Sequence, residues 1–306
     1  MLIDQGHQLK VLIHLDMNGL ACLSLEQIKG DVTNESDLAD LCSGCDVVFH
    51  LAAYISIRKN DPACWKVNAE SCLKLIRAAR SKGVRRIIHF SSIHAFREMP
   101  LNTELNESRE LCLNSAISYD YSKAWSQKFM LEAASTDPEI IVLNPTAVIG
   151  PNDFRPSLLG NALIRFYRGQ NPVLIPGGYN WVDVGDVCAA AVNAIECGNS
   201  GECYLLGGSW QSLDTLVQEI EKLGGHKAPR LKIPMWMAQI GAPLINLPAT
   251  LGKKDPLYTS VSLHTLKYSH RNISCEKAGS ALGFRSRPFN ETLCNTMEWF
   301  GKNNYM

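Results

Sequence analysis

The chain reads Arg86-Ile-Ile-His-Phe90-Ser91-Ser92 and then, after a loop, Tyr119-Asp-Tyr-Ser-Lys123. The apolar run before Ser92 predicts a buried strand. The segment around Tyr119 predicts a helix, and residues four apart on a helix share one face. This order of strand, loop and helix therefore predicts that Ser92, Tyr119 and Lys123 lie close together.

These three side chains suit the interconversion of an alcohol and a carbonyl. A cation beside a phenol favours the phenolate, so Lys123 is expected to lower the pKa of Tyr119. Such a phenol can exchange a proton with a substrate oxygen, which Ser92 would hold. Spacing alone is weak, because Tyr54 and Arg58 show the same spacing by chance. The preceding strand and Ser92 are what distinguish Tyr119 and Lys123.

Around this stretch, short apolar strands alternate with long amphipathic helices, which predicts an α/β fold with a parallel sheet. Beyond Gly150 the alternation loosens, and residues 151–306 are interpreted as a smaller, mostly helical substrate region that partly threads back to the main sheet. Asp186 is predicted to cap a helix there. The predicted strands are Lys10–Leu15, Leu23–Lys29, Asp46–Ala53, Val84–Phe90, Glu139–Leu143 and Cys203–Leu206, and the main predicted helices cover 34–41, 62–81, 118–134 and 293–300.

Composition excludes several classes of protein. The 306 residues carry a formal net charge of +0, so nothing indicates binding to nucleic acid. The eleven cysteines are scattered, which favours reduced thiols and a cytoplasmic location over a disulfide framework. Cys42 and Cys45 are interpreted as part of a helix-to-strand turn. No signal peptide is predicted, because Met1-Leu-Ile-Asp is followed at once by polar residues. No transmembrane segment is predicted, because the apolar region Ile233–Leu251 is broken by prolines; a contact of that region with a membrane surface stays open.

Several ordered motifs resemble the extended short-chain dehydrogenase/reductases, the NAD-dependent epimerase/dehydratase group. Dihydroflavonol reductase-like and 3β-hydroxysteroid dehydrogenase-like members are the most similar. The resemblance covers nearly the whole chain. Its motifs are Gly30-Asp31-Val32, His50-Leu-Ala-Ala53, Val67-Asn68-Ala-Glu-Ser, Phe90-Ser-Ser92, Tyr119-xxx-Lys123, Asn144-Pro145-xxx-Ile149-Gly150-Pro151, Trp181-Val-Asp183-Val-Gly-Asp186-Val and Ser274-xx-Lys277-Ala-xxx-Leu282-Gly283-Phe284.

The resemblance implies a Rossmann-type, doubly wound parallel sheet in residues 1–150 and a small-molecule substrate bound by residues 151–306. It implies hydride transfer between NAD and an alcohol or ketone carbon. Ser92, Tyr119 and Lys123 would be catalytic. The residues expected at the cofactor are Asp16, Asp31, Val32, Leu51, Ala52, Ala53, Asn68, Tyr119, Lys123 and Pro145.

Cofactor choice depends on two residues of the first predicted strand. Asp16 at its end would accept hydrogen bonds from the adenosine ribose and favour NAD. His14 stands where many relatives have a basic residue, so NADP stays possible. The glycine-rich phosphate loop expected about 20 residues before such an acidic residue would fall ahead of Met1, and the chain is therefore expected to bind NAD weakly without it.

Three further questions stay open at the level of sequence. An apolar pocket after Arg230 favours a ketone or alcohol reductase, whereas basic residues in the substrate region would suit a nucleotide-sugar epimerase or dehydratase. A non-catalytic nucleotide-binding relative is a third hypothesis.

A homodimer through the helix of Tyr119 is possible, with Trp125 and Phe129 either in its interface or in a core. His94 is interpreted as an ordinary loop residue, with a place in the substrate pocket as the alternative. The apolar residues that favour a reductase are Met235, Trp236, Met237, Ile240 and Leu244. The basic residues that would suit a nucleotide sugar are Arg155, Arg165 and Arg168.

Overall fold

The computed structural model describes residues 1–15, 19–56, 60–134, 137–171, 173–229, 231–245 and 259–306, with the backbone alone for 241–245. Its strands are β1 Lys10–Ile13, β2 Glu26–Lys29, β3 Val47–His50, β4 Arg86–Phe90, β5 Glu139–Pro145, β6 Ala147–Ile149, β7 Val173–Leu174, β8 Gly178–Asp183, β9 Cys203–Leu206, β10 Ser209–Ser212 and β11 Leu231–Lys232. Its α-helices are α1 Glu35–Cys42, α2 Pro62–Cys64, α3 Ser71–Lys82, α4 Ser118–Ala133, α5 Leu158–Tyr167, α6 Val184–Cys197, α7 Leu213–Lys222, α8 Met235–Ile245, α9 Ser260–Tyr268, α10 Glu276–Leu282 and α11 Phe289–Lys302.

The main sheet is parallel and has the order β3-β4-β5-β9. Its strands are mostly apolar because both faces are covered. Successive side chains of a strand point to opposite faces, and Ile87 and Ile88 of β4 accordingly belong to two different apolar clusters. One cluster includes Leu75 of α3, and the other includes Ala190 of α6. The predicted α/β sheet with helices on both faces is thus present.

A second parallel pair, β1 with β2, lies beside the same core. Leu12 of β1 packs against the cluster that contains Leu38 and Val48. Within the described residues, β1 pairs with β2 alone and β3 pairs with β4 alone. The two parallel pieces therefore share a core without sharing a hydrogen-bonded ladder.

The long helix predicted over 62–81 has the expected extent but contains a π-helical segment, Trp65–Glu70, between α2 and α3. Asn68 lies within it, and its side chain is drawn toward the loop after β3 by two bonds to Tyr54. Such π turns are frequent at functional sites. Through Asn68, this π-helical segment contacts the loop after β3, which the sequence analysis assigns to the cofactor.

Residues of the C-terminal half form a third apolar cluster around Trp181, Phe289 and Phe300. There β8 pairs with β6 in parallel and with β10 antiparallel. The predicted cap at Asp186 is wrong, because the side chain of Asp183 accepts from the N–H of Gly185 and caps α6. Asp186 lies one turn later, where it holds the guanidinium of Arg287 at 2.6 Å.

Strand β9 comes from the C-terminal part of the chain and adds to the main sheet beside β5. The division into residues 1–150 and 151–306 stays a prediction. No described helix is both long and apolar enough to cross a bilayer. All eleven cysteines are free thiols, and the N–H of Cys45 donates to the carbonyl of Cys42 in a turn between α1 and β3, as predicted.

Candidate active site

The structure brings Ser92, Tyr119 and Lys123 together at the carboxyl end of β4. Ser92 follows β4 and caps the short 3-10 helix Ile93–Ala95. Tyr119 and Lys123 lie in the first turns of α4. The hydroxyl of Ser92 lies close enough to the hydroxyl of Tyr119 to lower its pKa. Two hydroxyl groups therefore converge where one substrate oxygen could contact both.

The pKa of Tyr119 differs from the expectation. Burial raises it to about 12, and the nearby hydroxyl of Ser92 only partly offsets this effect. The charges of Asp120 and Cys64 raise it further. The predicted lowering by Lys123 is not found in this arrangement, so Tyr119 carries its proton at neutral pH.

Lys123 is nearly inaccessible, with 2% of its surface exposed. Its ammonium donates to the backbone carbonyl of Phe90 at 2.9 Å. Burial lowers the pKa of Lys123 to about 8. The ammonium is thus tied to the strand that leads into Ser92, a contact that spacing along α4 alone does not predict.

A buried amide network supports Ser92 from behind, and sequence reasoning missed it. The side-chain amide of Asn144 donates to the carbonyl of Ser92 at 2.9 Å and to Gln127 at 2.6 Å. The hydroxyl of Ser91 donates to the same oxygen of Gln127 at 2.8 Å. These contacts join β4, β5 and α4. Asn144 next to Pro145 in the family motif was the available signal, but its partners are distant in sequence.

Two stacked histidines lie under α4. The Nδ1 atoms of His50 and His89 are 2.9 Å apart, and the rings are 5.1 Å apart at 19°. Burial lowers the pKa of both imidazoles, that of His50 to about 3, so both are neutral. Cys72 completes a group with metal-ligand spacing. The nitrogens already bond each other, however, and the nearby charge of Lys123 disfavours a second cation. We therefore interpret the two histidines as a buried structural pair that packs near Lys123.

Asp31 and Val32, both predicted to lie at the cofactor, are in the turn after β2. One carboxylate oxygen of Asp31 accepts from the N–H of Thr33 at 2.7 Å, and the other is 3.8 Å from His14. The bond from Thr33 holds the pKa of Asp31 below its usual value. Asp31 is thus an ionised acceptor with 43% of its side chain exposed.

The loop after β3 is open to solvent and braced by Asn68. Leu51 and Ala53 are exposed, and Ala52 is half-buried. Asn68 accepts from the N–H of Tyr54 at 2.7 Å and donates to its carbonyl at 3.0 Å and to Ser122 at 2.9 Å. The Asn68 amide is therefore occupied by protein partners, and it holds this loop against α4.

The other two predicted cofactor residues are less informative. Pro145 ends β5 and is half-buried beside Leu206 of β9. Asp16 lies outside the described residues. His14 is exposed near Asp31, so the choice between NAD and NADP stays open.

Titratable groups surround Tyr119 on its outer side. His94 and Asp120 form an ion pair with 3.1 Å between Nδ1 and Oδ1. Glu98 pairs with His264 of α9 at 3.2 Å, which connects the loop after β4 to the C-terminal region. Burial raises the pKa of Glu98 to about 7, and the charge of Asp120 raises it further. Only His94 among these residues had been considered from sequence.

The two alternative substrate surfaces differ in accessibility. On α8, Trp236 and Ile240 are 62% and 73% exposed, which gives an apolar outer face; the side chain of Leu244 lies outside the description. Arg168 donates to the carbonyl of Tyr305 at 3.0 Å and so has a structural partner.

The sequence model of the NAD dependent epimerase/dehydratase family matches residues 1–207. The chain belongs to this family. Sterol demethylase protein B of Methylococcus capsulatus is 28% identical to this family member over 98% of the chain and 92% of the relative. A dihydroflavonol 4-reductase-like protein of Synechocystis sp. is 28% identical over 100% of the chain and 91% of the relative.

Solved structures agree with this assignment. The crystal structure of gox2253 superimposes with a TM-score of 0.84 at 28% identity, covering 100% of this chain and 94% of that one. The predicted α/β Rossmann-type fold and the resemblance to the NAD-dependent epimerase/dehydratase group are therefore confirmed. So is the prediction of a family of NAD-dependent oxidoreductases, epimerases and dehydratases.

Proposed function

We propose that this family member reduces a ketone to an alcohol, with Tyr119 as the proton donor and Ser92 as the group that orients the oxygen. The observation that carries the proposal is the close approach of the two hydroxyl groups at the end of β4, where Ser92 lowers the pKa of Tyr119. A carbonyl oxygen placed against both can accept two hydrogen bonds. These bonds strengthen as the oxygen gains negative charge, which favours the transition state over the ground state.

The raised pKa of Tyr119 favours the direction of reduction. A phenol with a pKa of about 12 is protonated at neutral pH and can give its proton to an oxygen that is becoming an alkoxide. The reverse reaction would need the phenolate, which burial and Asp120 disfavour. Lys123, tied to Phe90, is proposed to hold the nicotinamide ribose and to keep α4 in register with β4.

The residues present fit the two ends of NAD. Asp31 offers an ionised oxygen for the adenine amino group, and Val32 offers an apolar surface for the ring. Gly30 meets close neighbours, since an added Cβ would lie 2.7 Å from the Asp37 carboxylate and 2.8 Å from Leu12. At the other end Tyr119 and Lys123 offer the donors for the nicotinamide ribose. When bound, NADH supplies the hydride.

An apolar ring ketone suits the described residues better than a nucleotide sugar. The outer face of α8 is apolar, and Arg168, one of the three arginines proposed for a diphosphate, is tied to Tyr305. Two relatives by sequence are named for ring-containing compounds, a sterol demethylase protein and a dihydroflavonol 4-reductase-like protein. The proposal therefore places an uncharged, ring-containing ketone at Ser92 and Tyr119.

The aromatic surface of α4 supports a homodimer as a further part of the proposal. Trp125 lies 6.4 Å from Trp65 and 5.5 Å from Phe129, and all three rings are half-buried on one side of the helix. A sedimentation-velocity comparison with Phe129→Lys would test this surface. The eleven free thiols support a reducing, cytoplasmic location.

The activity is tested by consumption of NADH or NADPH with a panel of ring ketones. Ser92→Ala is expected to lower kcat/KM by roughly 100- to 1,000-fold, as for the loss of one donor to a developing oxyanion. Ser108→Ala, at an exposed serine, is the control. Absence of turnover with every ketone would favour the non-catalytic relative, and equal rates for Ser92→Ala and the wild type would remove Ser92 from the site.

A further inference from the structure

Gln127 lies on the same face of α4 as the proposed proton donor. Tyr119, Lys123 and Gln127 follow one another at intervals of four residues, so their side chains line one side of the helix. Lys123 donates to the carbonyl of Phe90, and Gln127 accepts from the hydroxyl of Ser91 at 2.8 Å. This face of α4 is therefore bonded to two successive residues at the end of β4.

The side-chain oxygen of Gln127 accepts hydrogen bonds from two neighbouring strand ends. The hydroxyl of Ser91 donates at 2.8 Å, and the amide of Asn144 on β5 donates at 2.6 Å. The same Asn144 nitrogen also donates to the carbonyl of Ser92 at 2.9 Å. All four residues are buried. Gln127 thus reaches Ser92 through a single intermediate, the side chain of Asn144.

The two amide groups fix each other's orientation. A turned Asn144 amide would place its oxygen against the Ser92 carbonyl and the Gln127 oxygen, and acceptors repel one another. A turned Gln127 amide would bring two NH₂ groups together. The Oδ1 atom of Asn144 is buried and has no partner within the described part of the chain, so no competing bond there draws the amide away. The orientation of Asn144 therefore depends on the acceptor that Gln127 supplies.

Hydrogen bonds hold the backbone on both sides of the Ser92 side chain. The N–H of Ser91 donates to the carbonyl of Leu143 at 2.8 Å, and Asn144 holds the carbonyl of Ser92. The hydroxyl of Ser92 accepts from the N–H of His94 at 3.2 Å. Such restraint matters for catalysis, since a displacement of about 1 Å in a reacting group can cost roughly 100-fold in rate.

We infer that Gln127 is a positioning residue, which keeps the Ser92 hydroxyl beside Tyr119 by orienting the amide of Asn144. This inference rests on the proposed ketone reduction. Gln127 acts through Asn144 and Ser92 and contacts neither substrate nor cofactor. Its removal should therefore cost activity only while the Ser92 hydroxyl is present.

A double-mutant cycle with Ser92→Ala tests this route. Gln127→Met keeps the length of the side chain and removes the acceptor. In the wild type it is expected to lower kcat for ketone reduction by roughly 10- to 100-fold, with KM and the Kd for NADH little changed. In the Ser92→Ala background the same change is expected to alter kcat by less than about 2-fold, the usual scatter of such cycles. Gln218→Met, at an exposed glutamine of α7, is the control.

Two conservative variants separate the hydrogen bonds from packing. Gln127→Glu keeps an acceptor of the same size and is expected to retain most of kcat. Asn144→Asp keeps the size of its side chain but removes both donated bonds, and its loss is expected to match that of Gln127→Met. Thermal unfolding shows which variants are folded. Should Gln127→Met fail to fold, Asn144→Asp takes its place in the cycle.

Three results overturn the role of Gln127 while leaving ketone reduction intact. One is a wild-type kcat in Gln127→Met. Another is an equal fold-loss with and without the Ser92 hydroxyl, since that result assigns Gln127 to the general stability of α4. The third is a loss in Gln127→Glu as large as in Gln127→Met, because the acceptor is then not what matters. No turnover of any ketone by the wild type contradicts the proposed reduction, and this inference with it.

Discussion

The ammonium of Lys123 donates a hydrogen bond to the carbonyl of Phe90, 2.9 Å away, and so ties α4 to the strand that leads into Ser92. The contact is buried, which lowers the pKa of Lys123 to about 8. An ammonium that pairs with a carbonyl dipole instead of a carboxylate keeps most of the cost of its burial. Lys123 is therefore expected to reduce stability in exchange for a fixed position beside Tyr119.

The cost of burying the Lys123 ammonium predicts that the free energy of unfolding depends on pH. Between pH 8 and the ordinary lysine pKa of about 10.4, the unfolded chain binds a proton that the folded chain has released. Stability from this group therefore rises with pH in that window. The free energy of unfolding of the wild type, relative to Lys123→Met, is expected to increase by roughly 2–3 kcal/mol from pH 7.5 to 10.5.

Urea unfolding of both proteins across that range gives the difference. Thiol ionisation affects both proteins and largely cancels. Lys128→Met, on the same helix with 35% of the lysine side chain exposed, is the control and should show a flat difference. A flat difference for Lys123→Met would mean that Lys123 is not desolvated.

Glu98 predicts the opposite slope. Its pKa is raised to about 7 by burial and by Asp120, from an ordinary value of about 4.3. The folded chain binds the extra proton between these values, so stability falls as pH rises from about 4.3 to 7. Exposure of the carboxylate and its pairing with His264 limit the fall to about 1–2 kcal/mol.

Glu98→Gln should remove this part of the fall, measured as the difference in unfolding free energy between pH 4.5 and 7.5. Glu110→Gln, at a glutamate with 74% of its side chain exposed, is the matched control. A pH profile of Glu98→Gln that overlays the wild type would contradict the assigned burial.

Asn68 is expected to control cofactor affinity through the loop after β3. Asn68→Ala removes two hydrogen bonds between this side chain and the backbone of Tyr54, at a cost of roughly 0.5–1.5 kcal/mol for each bond. We expect lower stability and at least about a 10-fold weaker Kd for NADH, which corresponds to about 1.4 kcal/mol. Asn161→Ala, at an exposed position on α5, is the control. Unchanged NADH affinity in Asn68→Ala would show that the loop does not contact the cofactor.

Much of the fold could be predicted because its signals are local. β4 and β5 are continuous apolar runs, and α4 follows Ser118 as expected. The short strands β6, β7, β10 and β11 lack such runs, because two to four residues paired across distant chain segments leave little periodicity. The cap of α6 was misassigned since two aspartates three residues apart both suit an N-terminus, and the geometry selects Asp183.

The candidate site was predicted in composition but not in its electrostatics. Order along the chain placed Ser92 beside Tyr119. It did not show that Lys123 points to Phe90, nor that Asp120, the neighbour of Tyr119, pairs with His94 across a loop. Those contacts depend on side-chain direction and on packing between distant elements. The pKa of Tyr119 follows from burial, which sequence spacing does not report.

The central claim is that Tyr119 gives the proton, and α4 offers a matched pair to test it. Tyr119→Phe removes one hydroxyl at the site, while Tyr121→Phe removes one two residues later, where the ring packs 5.5 Å from Trp65. The measurement is kcat/KM for ketone reduction together with the Kd for NADH in both variants. We predict that Tyr119→Phe loses roughly 100- to 10,000-fold in kcat/KM with NADH affinity retained, and that Tyr121→Phe stays near the wild type. Equal rates in the two variants would contradict the account.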